Sequence, residues 1–199
     1  AAFEKLATAS VTLTVNGENW ADQRVELYQF GKVQADMELA YSHANGKYEG
    51  TVYTGTYDIY VNGQDSGFDI VVDESGASRE TVKYASVKYS ANSGTGTVPN
   101  SITVPVGTKI QLGEQGNLSK GEHNFTGWTV EGDLKGAVYA AGAEFTVEKE
   151  TVLLANWEPI FADAKVIVNL NERPSGNFTV AFRNKADGKT FNTVYSGGA

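Results

Sequence analysis

The chain has no cysteine, which removes disulfides, thiol nucleophiles and thiolate metal sites from consideration. Its two histidines, His43 and His123, fall in separate turn-like stretches without a ligand-spaced partner, so no zinc site is expected. No Gly-x-Ser-x-Gly elbow occurs, and Gly94-Thr-Gly96 lacks the lysine and following helix of a phosphate loop. Asp69, Asp73 and Glu74 are not part of an Asp-x-Asp-x-Asn-Gly calcium loop and read as a solvated acidic edge. Bases are scarce: 16 Lys and Arg against 24 Asp and Glu give a net charge of −8. No basic patch is present to neutralise a phosphate backbone, which argues against nucleic acid. No apolar run approaches the roughly 18 residues of a membrane span, and Ala1-Ala-Phe-Glu-Lys-Leu6 lacks an export signal's apolar core. The expectation is no catalytic residue, no cofactor, no metal site and no enzyme.

What is present is period-two patterning. Val11, Leu13 and Val15 alternate with threonines before Asn16-Gly17, and Tyr57-Asp-Ile-Tyr-Val61 leads into Asn62-Gly63. Both dipeptides are hairpin signals. Asn45-Gly46 is a third, and Asp58, Asp69 and Asp73 fall opposite Ile59, Ile70 and Val72, as in antiparallel strands wet on one face. Only residues 32–41 have weak helical character, and they read as an uneven strand or a single turn. The grammar changes at residue 85, where glycine and proline become frequent, and strands are expected at 108–112, 124–130, 144–148 and 151–157. A second boundary is expected at Glu158-Pro159, since proline ends strand pairing. Beyond it, Lys165-Val-Ile-Val-Asn-Leu-Asn171 and Phe178-Thr-Val-Ala-Phe182 repeat the opening pattern of Val11–Gly17 and Val25–Phe30. Such a repeat argues for an array. Tyr195-Ser-Gly-Gly-Ala199 ends on a turn signal, so the chain is expected to be a piece of a longer protein.

One segment carries an ordered signature. It runs Val87-x-Tyr89-x-x-Asn92-x-Gly94-x-Gly96-x-x-Pro99, then Gly107-x-x-Ile110-x-Leu112 and Leu118-x-x-Gly121. It continues Phe125-x-Gly127-Trp128 and Tyr139-x-Ala141-Gly142-x-x-Phe145-x-Val147, and closes Leu154-x-x-Trp157. Residues 85–158 thereby resemble the internalin B-repeat, also called the Listeria–Bacteroides repeat. Gly113 departs from it where a proline often follows the leucine, and His123-Asn124 stands in place of an aromatic. The resemblance implies a small β-grasp-like module, found in tandem in bacterial surface proteins and without catalysis. Gly55-Thr-Tyr57-Asp-Ile59-Tyr-Val61 is similar, over a shorter stretch, to B-type (prealbumin-like) adhesin domains.

The expected organisation is mainly β, built of tandem small modules. A terminal remnant (1–6) precedes an Ig/prealbumin-like sandwich (7–84), a β-grasp-like repeat (85–158) and a partial third module (159–199). Gly127, Trp128, Tyr139, Phe145, Trp157 and Tyr57 are expected in cores, because small modules depend heavily on each large ring. Trp20, in a polar turn-like stretch, is expected to be partly exposed. With Tyr28, Tyr53 and Tyr60 it forms the candidate surface-binding set. The functional expectation is a stalk or spacer of a secreted, cell-surface or cell-wall protein that contributes to adhesion. The alternative is a glycan- or host-protein-binding module, whose partner would be a host or cell-wall glycan or an extracellular protein. The chain is expected to be monomeric, with an edge-strand contact through 161–199 open to it.

B-type domains often contain an internal Lys–Asn isopeptide bond, which needs a lysine on the first strand. Residues 11–15 hold none, and the partner strand of Lys165 falls outside the sequence. Intact mass spectrometry is therefore expected to match the sequence mass; a deficit of about 17 Da, one ammonia, would contradict this.

Overall fold

A computed structural model describes residues 5–29, 31–75, 78–160, 178–183, 188 and 190–195. The expected equivalence of 165–171 to the opening strand, the site at Lys165 and most of the terminal remnant lie outside these residues. The fold is mainly β, with no helix among the described residues. The chain forms two compact units, residues 1–160 and 161–199.

The first unit opens with β1 (Leu6–Val15), β2 (Glu18–Asn19), β3 (Val25–Gln29) and β4 (Met37–Ser42). It continues through β5 (Lys47–Tyr53), β6 (Gly55–Val61), β7 (Gln64–Val72) and β8 (Ser78–Ser90). Next come β9 (Ile102–Pro105), β10 (Lys109–Gln111), β11 (His123–Val130), β12 (Val138–Tyr139), β13 (Glu144–Thr146) and β14 (Thr151–Pro159). The second unit has β15 (Phe178–Arg183) and β16 (Thr190–Tyr195), an antiparallel hairpin with Phe182 opposite Phe191.

Within the first unit twelve strands form one sheet along the path β12-β11-β14-β8-β1-β5-β4-β3-β6-β7, with β2 paired to β1 and β9 to β8, while β10 and β13 pair antiparallel in a separate two-stranded sheet. Two separate cores sit on this path. The first is filled from β1, β5 and β8 on one side and β3, β6 and β7 on the other, by Ala9, Val11, Leu13, Tyr48, Val82, Val25, Leu27, Ile59 and Ile70 among others. Strand β4 links the two layers, pairing through Met37–Leu39 with β3 and through Ala40–Ser42 with β5. Alternation explains why these strands form: in β1 the odd positions 7–13 are buried and the even ones mostly face outward. The Asn16-Gly17 and Asn62-Gly63 turns have positive φ at both residues, 53° and 87°, and 53° and 77°. That is the geometry that twists a two-residue hairpin correctly. The 32–41 stretch resolves into bends at 33–34 and 36 followed by β4.

The second core contains Val87, Leu112, Leu118, Trp128, Val147, Leu153 and Ala155. The two cores share β8. Its first part pairs in parallel with β1, from Ala9↔Ser78 to Val15↔Tyr84, and its second part pairs in parallel with β14, from Thr151↔Val87 to Leu154↔Ser90. The compositional change at residue 85 thus falls inside a strand and not between elements. Around it, the Asn16 side chain accepts a 2.8 Å bond from the Ser86 amide, the Asn16 amide donates to the Tyr84 carbonyl, and the Val106 amide donates to Lys83. Trp157 is carried by β14, which is central, between β11 and β8; Pro159 ends β14 opposite His123.

A β-bulge interrupts the β11–β14 register between Phe125 and Gly127. Gly127 has φ +136°, and a Cβ there would lie 2.2 Å from the backbone oxygen of Tyr139. Both facts require glycine. Gly127→Ala is expected to destabilise the protein by more than about 2 kcal/mol, measured by denaturant unfolding; a change below about 0.5 kcal/mol would show that the bulge accepts a side chain.

Candidate functional site

Trp128 is fully buried, its indole donates to the Gly113 carbonyl at 2.7 Å, and Tyr89 and Phe125 meet its ring edge-on at 4.8 and 5.2 Å. Trp157 is half-buried, packs against Phe125 and donates to the Ala91 carbonyl at 2.9 Å. Tyr139 and Phe145 contact each other edge-on and are packed against the same core, and Tyr57 is buried in the first core, donating to the Tyr53 carbonyl. Satisfied indole groups and edge-to-face ring contacts are the marks of packing. Gly113 joins them for a reason the sequence did not announce: a Cβ would stand 2.4 Å from Pro99 Cγ, so glycine lets Pro99 close over the Trp128 acceptor.

The four candidate surface residues do not form one patch. Trp20 is half-buried against Tyr84 at 5.1 Å, and its carbonyl accepts from the Tyr48 hydroxyl. Burial, together with the charge of Asp65, pushes the Tyr84 hydroxyl up to about 12. Tyr53 is exposed on β5, opposite Leu6. Tyr28 and Tyr60 do come together, with ring centroids 4.3 Å apart and planes tilted by 34°.

Around that pair lies an acidic face. Val25, Leu27, Tyr57, Ile59, Ile70 and Val72 face the core, so Glu26 and Tyr28, Asp58 and Tyr60, and Asp69 occupy the opposite face. The register puts Glu38, Glu26, Tyr60 and Asp65 in one row and Tyr28, Asp58 and Asp69 in the next. Asp58 directly opposes Asp69, and its carboxyl is pushed above the usual range by burial and by the charges of Asp69 and Asp65. Burial and the charges of Asp65 and Asp58 raise the Tyr60 hydroxyl. Glu26 is 2% exposed despite its outward position. Arg24, itself over half exposed, holds Glu26 Oε1 at 2.5 Å and lies 3.5 Å from Glu38. Glu26 Oε2 has no hydrogen-bond partner, alone among the buried side-chain polar atoms of the described residues.

Elsewhere the chemistry is thin. Among the described residues no group of three or more His, Asp or Glu side chains could hold a metal ion. His43 lies 3.4 Å from Asp22, and the His123 ring is bonded to the Gly121 carbonyl. A cleft of about 600 Å³ lies beside the cores' shared strand, lined by Thr14, Asn16, Lys83, Tyr84 and Glu148 to Glu150. A second, of about 460 Å³, is bounded by Glu131, Asp133, Tyr139, Phe145 and Lys149. No described helix is long and apolar enough to cross a membrane.

No family model, no curated protein and no solved structure matches this chain. The acid–tyrosine face, with its paired rings and buried Glu26, is the candidate site. The sequence pointed to Tyr28, Tyr60 and the outward aspartates, but not to Glu26 or Arg24, whose pairing depends on the fold.

Like charges directly opposed on a sheet destabilise it by a few tenths of a kcal/mol or more. Asp58→Asn is expected to stabilise the protein at pH 7 by about 0.3–0.8 kcal/mol. The sign follows from linkage. A carboxyl with a raised folded-state pKa binds its proton more readily in the native state, so its contribution to stability falls as pH rises through the carboxylate range. The advantage of the variant should accordingly shrink on acidification through that range, read from urea midpoints; an advantage that grows would contradict the assignment.

Proposed function

We propose that residues 7–158 form a load-bearing spacer in the stalk of a bacterial surface or wall-anchored protein, with no catalytic role and with adhesion as a secondary contribution. The resemblance of residues 85–158 to the internalin B-repeat and of 7–84 to B-type adhesin domains supports this, on the residues quoted above.

The observation that carries the proposal is the pairing of β8. Tension entering at the start of β1 and leaving at the end of β14 pulls β1 backward and β8 forward along a parallel ladder. The same tension then pulls β8 backward and β14 forward along a second one. In each ladder the hydrogen bonds are loaded in shear, so they must yield together. A peeled ladder yields one bond at a time. Between the two ladders runs continuous strand rather than a linker, so the joint adds no slack. That is what a spacer needs.

The absence of native cysteine allows unique thiol handles on the full chain. Handles at Leu6→Cys and Glu158→Cys load both parallel ladders in shear. Handles at Leu6→Cys and Tyr53→Cys, which face each other across the antiparallel β1–β5 ladder, load the first core in peel. Single-molecule pulling under reducing conditions is expected to give a clearly higher unfolding force in the first geometry, because forced unfolding follows the barrier along the pulled direction. Equal or lower force there would overturn the spacer proposal.

A further inference from the structure

The acid–tyrosine face on β3, β6 and β7 has no role in the spacer described above. Five carboxylates, Glu26, Glu38, Asp58, Asp65 and Asp69, share its two rows, and Arg24 is already engaged by Glu26 and Glu38. Acidic strand faces are usually only solvated. Glu26 makes this one different: its carboxylate is almost completely buried, one oxygen is bound by Arg24 and the other has no donor. A buried carboxylate oxygen left unpaired is costly, and an incoming N–H donor would relieve it.

We propose that this face docks an extended segment of a partner polypeptide through cationic side chains spaced i and i+2. The charge chooses the ligand class: a neutral hydroxyl could bond Glu26, but only a cation also relieves the opposition of Asp58 and Asp69. The spacing follows from the sheet. Residues two apart along a strand are about 6.8 Å apart, which separates the Glu26–Tyr60–Asp65 row from the Tyr28–Asp58–Asp69 row by the same interval as alternate side chains of an extended partner. Tyr28 and Tyr60 supply apolar flanks for a lysine or arginine stem, and their remaining ring faces attract the charge. They suit sugar poorly, because the two rings are tilted and turned toward each other instead of lying side by side in one plane. A divalent metal is disfavoured because the carboxylates are not gathered closely enough to hold one.

The test uses the full chain and a synthetic probe, acetyl-Thr-Lys-Thr-Lys-Thr-amide, in isothermal titration and NMR titration at low salt. Saturable binding is expected, with shifts at Tyr28, Asp58, Tyr60 and Asp69. Asp58→Asn combined with Asp69→Asn, both in non-core positions, should weaken it about tenfold, and Glu26→Gln should do likewise where the variant folds. Glu131→Gln with Asp133→Asn, on the second core, should leave it unchanged. A probe with adjacent lysines should bind several-fold more weakly. No binding, equal losses from both double variants, or indifference to lysine spacing would overturn the proposal. Tighter binding of cello- or chito-oligosaccharides would assign the face to glycans instead, and a diamine binding as tightly as the peptide would remove the polypeptide from the assignment. None of these outcomes bears on the pulling geometry, so this proposal and the spacer proposal stand or fall separately.

Discussion

The rest of the first unit depends on one strand remaining extended through residues 84–87. β8 is a wall of the first core through Val82 and Tyr84 and a wall of the second through Ala85 and Val87. Its backbone is occupied along this length by parallel partners at either end and by β9 beside it, from Tyr84↔Pro105 to Val87↔Ile102. Asn16 locks the crossing point, donating through its amide to Tyr84 and accepting through its side chain from Ser86. A residue at φ +53° makes both bonds possible, since the turn aims its backbone and its side chain at the same strand. Bending β8 at this point would cost backbone bonds and expose apolar surface on both sides. Rigidity at the joint is therefore a by-product of folding either core.

Much of this was legible in the sequence, and the limits are physical. Period-two alternation and the Asn-Gly turns identify most of the first eight strands, because a strand with one buried face must alternate and a two-residue hairpin must accept positive φ. Trp128 and Trp157 read as packing residues from their short strand contexts, and the satisfied indoles agree. Pairing partners were not legible. Nothing local in Ser78–Ser90 says that its first half joins β1 and its second half β14, since parallel pairing brings together residues roughly 65–70 apart in sequence. The change in composition at residue 85 reflects a change of core, and a strand can cross from one core to another without any break signal.

The acid–tyrosine face was half legible. Outward aspartates on β6 and β7 follow from alternation, but their facing of one another depends on register, and Glu26 gave no hint of burial. A glutamate between Val25 and Leu27 ordinarily points to water. Here its carboxylate is covered, with Arg24 above it, Glu38 on one side and Tyr60 on the other. Gly113 shows the same limitation in the second core. Its value lies in the room it leaves for Pro99 above the acceptor of the Trp128 indole, a relation that appears only once three separate segments are folded together.

The continuity of β8 is the claim on which the joint, the force path and the spacer proposal all rest. Native-state hydrogen exchange across Val82–Tyr89 tests it most directly, because a strand and a linker differ there by orders of magnitude in amide protection. The hydrogen-bonded amides of residues 84–87, Ser86 included, are expected to exchange as slowly as those of the flanking core positions Val82 and Leu153. Fast exchange at 84–87 between two slow segments would mean that the cores are joined by a hinge, and would contradict the continuous strand.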